Sequence, residues 1–146
     1  MLPIKSIYII GSLKNRCIVN IGNALRDVGI DAFDDWLSAG PEADDFWKEY
    51  ADKRGLSYKE ALEGHAAKHV YEFDKFHLDR CDAALLVLPA GKSGHLELGY
   101  TLGKGKPGWI LLDELVDKAT MRYDVMYQFA DGIFETLPDF MKYITQ

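Results

Sequence analysis

The chain has 146 residues, 48% of them hydrophobic, with 17 Lys and Arg against 23 Asp and Glu for a net charge of −6. That length supports one domain with a substantial core and is short for two. The negative balance, with basic residues scattered rather than run together, excludes a nucleic-acid polymer or an anionic membrane as the expected partner. No apolar run approaches the roughly 18 residues that span a bilayer, and no basic stretch followed by an apolar one opens the chain, so the expected location is cytoplasmic. Cys17 and Cys81 lack CxxC spacing and read as buried, reduced thiols inside helices.

In chain order, Ser6 to Ile10 is a β-rich run closed by Gly11-Ser12, a first strand and its turn. Arg16 to Val28 has helical apolar spacing through Ile18, Ile21, Leu25 and Val28, with Gly29 as its stop. Ile30 to Phe33 predicts a short strand ending in Asp34-Asp35-Trp36. Two helices are predicted over 44–53 and 57–80, broken at Arg54-Gly55, and then a third strand over 83–88. A helix follows over 93–103, then Gly105-Lys106-Pro107-Gly108 turns into a strand over 109–112. Asp113 to Arg122 reads as a mobile polar loop, 124–130 as a short helix, 133–135 as an edge strand and 137–144 as a closing helix. Strands alternating with helices predict one α/β domain over 1–146, a flavodoxin-like or Rossmann-like sandwich. Its five-stranded sheet should be mostly parallel, in the order 2-1-3-4-5.

The third strand is the most informative segment. Six apolar residues, Ala83 to Leu88, run into Pro89 and Gly91, the pattern of a central parallel strand. Glu97 then falls within about a turn and a half of the next helix, at the carboxyl edge where open α/β sheets bind ligands. A carboxylate there is expected to be ionised by the helix dipole, as a nucleophile must be. Three βα junctions bring polar groups to the same edge: Tyr8, Gly11, Ser12 and Lys14; Asp34, Asp35 and Trp36; Lys92, Ser93 and Glu97. Asp74 joins them from the helix before the third strand. Other motifs fail on spacing. Gly91-Lys92-Ser93 ends like a phosphate loop, but the upstream glycine position holds Leu86. His65 and His69 stand four apart on a helix without an HExxH pattern and read as a surface pair. Asp34-Asp35 and Asp44-Asp45 read as turn and helix-start residues, and no metal site is expected. His95 is expected on a different helix face from Glu97.

These residues resemble the nucleoside 2-deoxyribosyltransferase-like family, which includes the nucleoside 5′-monophosphate N-glycosidases. The resemblance runs along nearly the whole chain through Ile7-Tyr8, Gly11-Ser12, Asp74, Ser93-Gly94-His95-Leu96-Glu97-Leu98-Gly99-Tyr100 and Tyr123-Asp124-Val125-Met126. It implies Glu97 as the nucleophile that forms a glycosyl ester, oriented by Tyr8, with Asp74 supplying the proton to the departing base. Trp36 and Phe33 are candidate base-stacking residues, and Gly11, Ser12, Lys14, Lys92, Ser93 and Gly94 are candidate substrate-binding residues. The transferases tend to place Asn, and the monophosphate glycosidases Ser, where this chain has Asp124. A carboxylate accepts from a hydroxyl but repels a phosphate, whereas Gly11-Ser12-Leu13-Lys14 and Lys92-Ser93 resemble phosphate-side loops. The resemblance therefore implies, first, cofactor-free transfer of a 2-deoxyribosyl group from a nucleoside or nucleotide to an acceptor nucleobase. Hydrolysis of a nucleoside 5′-monophosphate comes second, and a non-catalytic nucleotide sensor third. It also implies a homodimer or higher homo-oligomer, for which the aromatic and methionine-rich 121–134 would suit an interface or equally a core.

Overall fold

The computed structural model describes residues 3–112 and 123–146. The loop expected over 113–122, and with it Met121, lies outside the described residues. The strands are β1 (Ser6–Ile10), β2 (Asp31–Phe33), β3 (Ala83–Val87), β4 (Gly108–Leu111) and β5 (Gly132–Phe134). They form one sheet in the order β2-β1-β3-β4-β5, and all four pairings are parallel. The α-helices described are α1 (Ile18–Asp27), α2 (Ala43–Lys53), α3 (Tyr58–Glu63), α4 (His65–Arg80), α5 (Lys92–Gly103) and α6 (Leu137–Ile144). Single 3-10 turns span Asp35–Ala39 and Val125–Phe129.

Strand alternation divides the core into two layers. On one face Ile7, Ile9, Leu85, Val87 and Trp109 meet Ile18, Ile21 and Leu25 of α1 and Phe140 of α6. On the other, Tyr8, Ile10, Phe33, Leu86 and Ile110 meet Leu78 of α4 and Leu98 of α5. Every residue of β3 is buried, which explains why its sequence is apolar on both faces. At the exposed edge of β2, Arg26 donates to the Ala32 carbonyl at 3.0 Å and pairs with the buried Asp34 at 2.5 Å. A charged side chain on an otherwise open strand discourages pairing with another chain.

Two expectations need correcting. The single helix predicted over 57–80 is two, because Gly64 is extended (φ −81°, ψ 162°) and ends α3. A capping box starts α3, with Ser57 Oγ accepting from the Glu60 amide and Glu60 Oε1 from the Ser57 amide, and helix-forming residues on both sides of Gly64 concealed the break. Cys17 and Cys81 are not inside helices: Cys17 precedes α1 and Cys81 follows α4. Cys81 is buried and Cys17 only partly so. Among the described residues, no helix is long and apolar enough to cross a membrane.

Candidate active site

The sheet brings Tyr8 to the α4–α5 face, where its ring is 2% exposed and packs on Phe33 at 5.1 Å between centroids. α5 approaches this face closely at Gly94. A Cβ there would stand 2.9 Å from Ile10 Cγ2 and 3.3 Å from Leu86 Cδ1. Glu97 lies three residues further along α5, so the close approach at Gly94 brings its carboxyl near the Tyr8 hydroxyl, and each shifts the proton affinity of the other. α4 brings Asp74 within electrostatic reach of both. These three residues, expected from the sequence to act together, are brought together.

Their electrostatics differ from the sequence expectation. Glu97 is not held ionised by the helix dipole. Burial first, and then the Asp74 charge, push its carboxyl up from 4.5 to about 7, opposed by the Tyr8 hydrogen bond. Asp74 is pushed up from 3.8 to about 6, first by burial and then by Asp44 on α2. Tyr8 is pushed well above the usual phenol range by burial and by the Glu97 and Asp74 charges, so it remains a hydrogen-bond donor. The two carboxyls therefore retain protons into the neutral range and titrate as a pair. Asp44 reads from sequence as a helix-start residue; its influence on Asp74 is a tertiary effect with no local signal.

The other candidates divide. Gly11 serves close packing, since a Cβ would stand 2.6 Å from Ile18 Cδ1. Ser12 Oγ accepts from the Lys14 amide at 3.1 Å and shapes the β1–α1 loop. Exposed Lys14 lines a surface cavity of about 520 Å³ with Leu13, Asn15, Arg16, Val19, Leu37 and Pro41, and none of the catalytic candidates borders it. Lys92 and Ser93 are exposed in the first turn of α5. Trp36 is half-buried, and its indole donates to the Ile9 carbonyl at 2.8 Å, which fixes it against both core layers. Phe33 is not available as a base platform: it is 3% exposed and already stacked on His77 at 3.8 Å. Asp34 is committed to Arg26. Exposed Asp124 accepts from the Met126 amide at 2.7 Å and caps the 3-10 turn that follows it. No group of three or more metal-ligating side chains occurs among the described residues, and His65 and His69 are exposed.

His95 makes a contact that its sequence position does not announce. Its Nδ1 lies 2.7 Å from the Gly91 carbonyl and its Nε2 lies 2.8 Å from the Tyr127 hydroxyl. A carbonyl only accepts, so Nδ1 carries a hydrogen and donates to Gly91, while Nε2 and the Tyr127 hydroxyl share the second hydrogen bond. This link holds the turn that begins at Asp124 against the start of α5.

The fold has counterparts of known structure. A 2-deoxyribosyltransferase from Bacillus psychrosaccharolyticus superposes with a TM-score of 0.67 at 18% identity, over 94% of this chain and 91% of that one. The two share one fold. A CMP N-glycosidase from Clostridium botulinum matches with a TM-score of 0.57 at 12% identity, over 97% of this chain and all of that one. A conserved protein from Enterococcus faecalis V583 matches at 0.61 and 13% identity, over 99% of both chains. No family model matches the sequence, and no curated protein matches it. At these identities the likeness establishes the fold, which is the one expected for nucleoside 2-deoxyribosyltransferase-like proteins.

Proposed function

We propose that this chain cleaves the N-glycosidic bond of a (deoxy)nucleoside and transfers the 2-deoxyribosyl group to a second nucleobase through a glycosyl ester on Glu97. The observation that carries the reading is the half-buried Glu97–Asp74 pair beside the buried Tyr8, with both carboxyls pushed toward neutrality. The deoxyribosyltransferase and CMP N-glycosidase neighbours support the same bond as the target.

The reactive form is the tautomer with Glu97 ionised and the pair's proton on Asp74, the less populated of the two because Glu97 holds its proton to about 7 and Asp74 to about 6. A Glu97 oxygen forms a bond to the anomeric carbon as the bond from that carbon to the base nitrogen breaks. The electron pair leaves with the base, which takes the proton of Asp74. Esterification removes the Glu97 charge. The mutual repulsion that favoured a protonated Asp74 then disappears, so Asp74 becomes a stronger acid as the leaving group needs its proton. An incoming base attacks the same carbon, gives its proton back to Asp74 and frees Glu97, so configuration is retained over two displacements. Tyr8 donates to the Glu97 oxygen that is not attacking and orients it. No cofactor enters this scheme. Asp124 is assigned to accept from the sugar 5′-hydroxyl, completing a site shared in a homo-oligomer.

A second reading, hydrolysis of a nucleoside 5′-monophosphate, draws on exposed Lys14 and Lys92 with Ser12 and Ser93 at the same sheet edge, and on the CMP N-glycosidase neighbour. Water would then resolve the same ester. The test is chromatography of each deoxynucleoside and its 5′-monophosphate with an excess of a different base. A new nucleoside made by the wild type and lost in Glu97→Ala is expected. Free base from monophosphates alone would replace transfer by hydrolysis. Ligand binding unaffected by Glu97→Gln, with no turnover of any substrate, would mark a sensor.

A further inference from the structure

The residues that flank the catalytic candidates on α4 and α5 are joined by a second polar cluster. Asp79 Oδ1 accepts from the Tyr100 hydroxyl at 2.5 Å and from Lys104 Nζ at 3.0 Å, while Oδ2 accepts from Lys75 Nζ at 2.9 Å. Lys104 Nζ also reaches the Tyr100 hydroxyl at 3.3 Å, and both ammonium groups lie over the Tyr100 ring, at 5.2 and 5.8 Å from its centre. The end of α4 is fixed in place as well. Lys106 Nζ donates to the Asp79 and Cys81 carbonyls at 2.5 and 2.9 Å, and Asp82 Oδ2 accepts from the Lys5 and Ser6 amides.

We propose that the Asp79–Tyr100–Lys104 cluster is a positioning clamp that sets the approach of α4 to α5 and thereby holds Asp74 against Glu97. Tyr100 stands three residues after Glu97, on the same side of α5. Asp79 stands five residues after Asp74, about 7.5 Å further along α4 at the usual helical rise. The two helices are thus joined by direct hydrogen bonds about one turn beyond the place where they present the two carboxyls. Thr101, buried beside Tyr100, donates to the Glu97 carbonyl at 3.0 Å. A surface ion pair contributes little to stability on its own. The consequence of this cluster is geometric: if the helices separate, Glu97 keeps Tyr8 from β1 and loses Asp74. The groups that face the carboxyls are Tyr8 from β1, Asp74 from α4 and, toward Asp74, Asp44 from α2. Asp79 itself is held far below the usual carboxylate range by Tyr100, Lys75 and Lys104, so it stays ionised throughout the titration below.

The clamp's effect on turnover rests on the Glu97 reading above, but its effect on the carboxyl pair does not. The test therefore needs no substrate. Side-chain carboxyl ¹³C NMR, with the Glu97 resonance assigned through Glu97→Gln, follows Glu97 from pH 4 to 9 in the wild type, Tyr100→Phe and Asp79→Asn. Both variants should lower the Glu97 midpoint from about 7 by half a unit or more while the thermal midpoint changes by only a few degrees. Lys104→Met, which removes one arm, should give a smaller shift in the same direction and serves where the other variants do not fold. An unchanged Glu97 midpoint in a folded Tyr100→Phe protein overturns the proposal. In the exchange assay, the same variants should lower kcat more than they raise KM. A shifted midpoint with no turnover in any form of the protein would leave the clamp standing and remove the catalytic reading.

Discussion

Replacing Glu97 by Gln should make the protein more stable and inactive, and the gain in stability should depend on pH. Burial and the Asp74 charge raise the folded-state carboxyl from 4.5 to about 7. Below 4.5 the side chain is protonated in both states and imposes no penalty. As pH rises, the unfolded chain releases the proton first, so native stability falls progressively until the folded group ionises near 7, above which the penalty is complete. A displacement of about 2.5 units at roughly 1.4 kcal/mol per unit gives about 3 kcal/mol at pH 8. At pH 5 the same linkage leaves less than about 1 kcal/mol. A neutral amide of the same shape escapes this penalty. In a chain of this size, Glu97→Gln should melt roughly 6–10 °C above the wild type at pH 8 and within about 3 °C of it at pH 5. The assay is thermal and urea unfolding of both proteins at the two pH values, beside base exchange at pH 6.5. Base exchange should fall by three orders of magnitude or more. A stability difference that is the same at pH 5 and pH 8 would refute the reasoning, since it would mean that Glu97 is not a desolvated, proton-retaining group.

Two further outcomes follow from the same geometry. The pH dependence of kcat/KM should be a narrow bell with limbs near 6 and 7, the values that the carboxyl pair carries. On the acid side both groups are protonated and no nucleophile remains, on the alkaline side both are ionised and no acid remains, and a profile with a single limb would contradict the shared proton. Gly94→Ala places a Cβ 2.9 Å from Ile10 Cγ2, and Ile10 is itself 2% exposed, so the helix must move outward. It should cost about 1–3 kcal/mol in urea unfolding and at least tenfold in exchange rate, through displacement of Glu97 from Tyr8. Wild-type exchange by Gly94→Ala would show that α5 does not need this close approach.

The parallel sheet and its order were legible because each strand carries its own local pattern and its own stop. The apolar run Ala83–Val87 can only be buried on both faces, and the alternation of strands with helices leaves few arrangements open. Tyr8, Asp74 and Glu97 were expected from the sequence to gather, and β1, α4 and α5 bring them near one another. Their ionisation was not legible. From one helix, Glu97 reads as a carboxylate favoured by a dipole; desolvation by the sheet and the charge of Asp74 from another helix outweigh that local term. Phe33 reads as an aromatic free to stack on a base, yet α4 folds across β2 and places His77 on its ring. Asp44, Asp79, Lys104 and Tyr127 look like ordinary polar positions in their own segments, because their partners lie on other elements. Periodicity, caps and breakers act within a few residues, and they determine which segment forms a strand or a helix. Dielectric environment, proton occupancy and helix-to-helix distance depend on groups distant in the chain, and only the packed tertiary structure decides them.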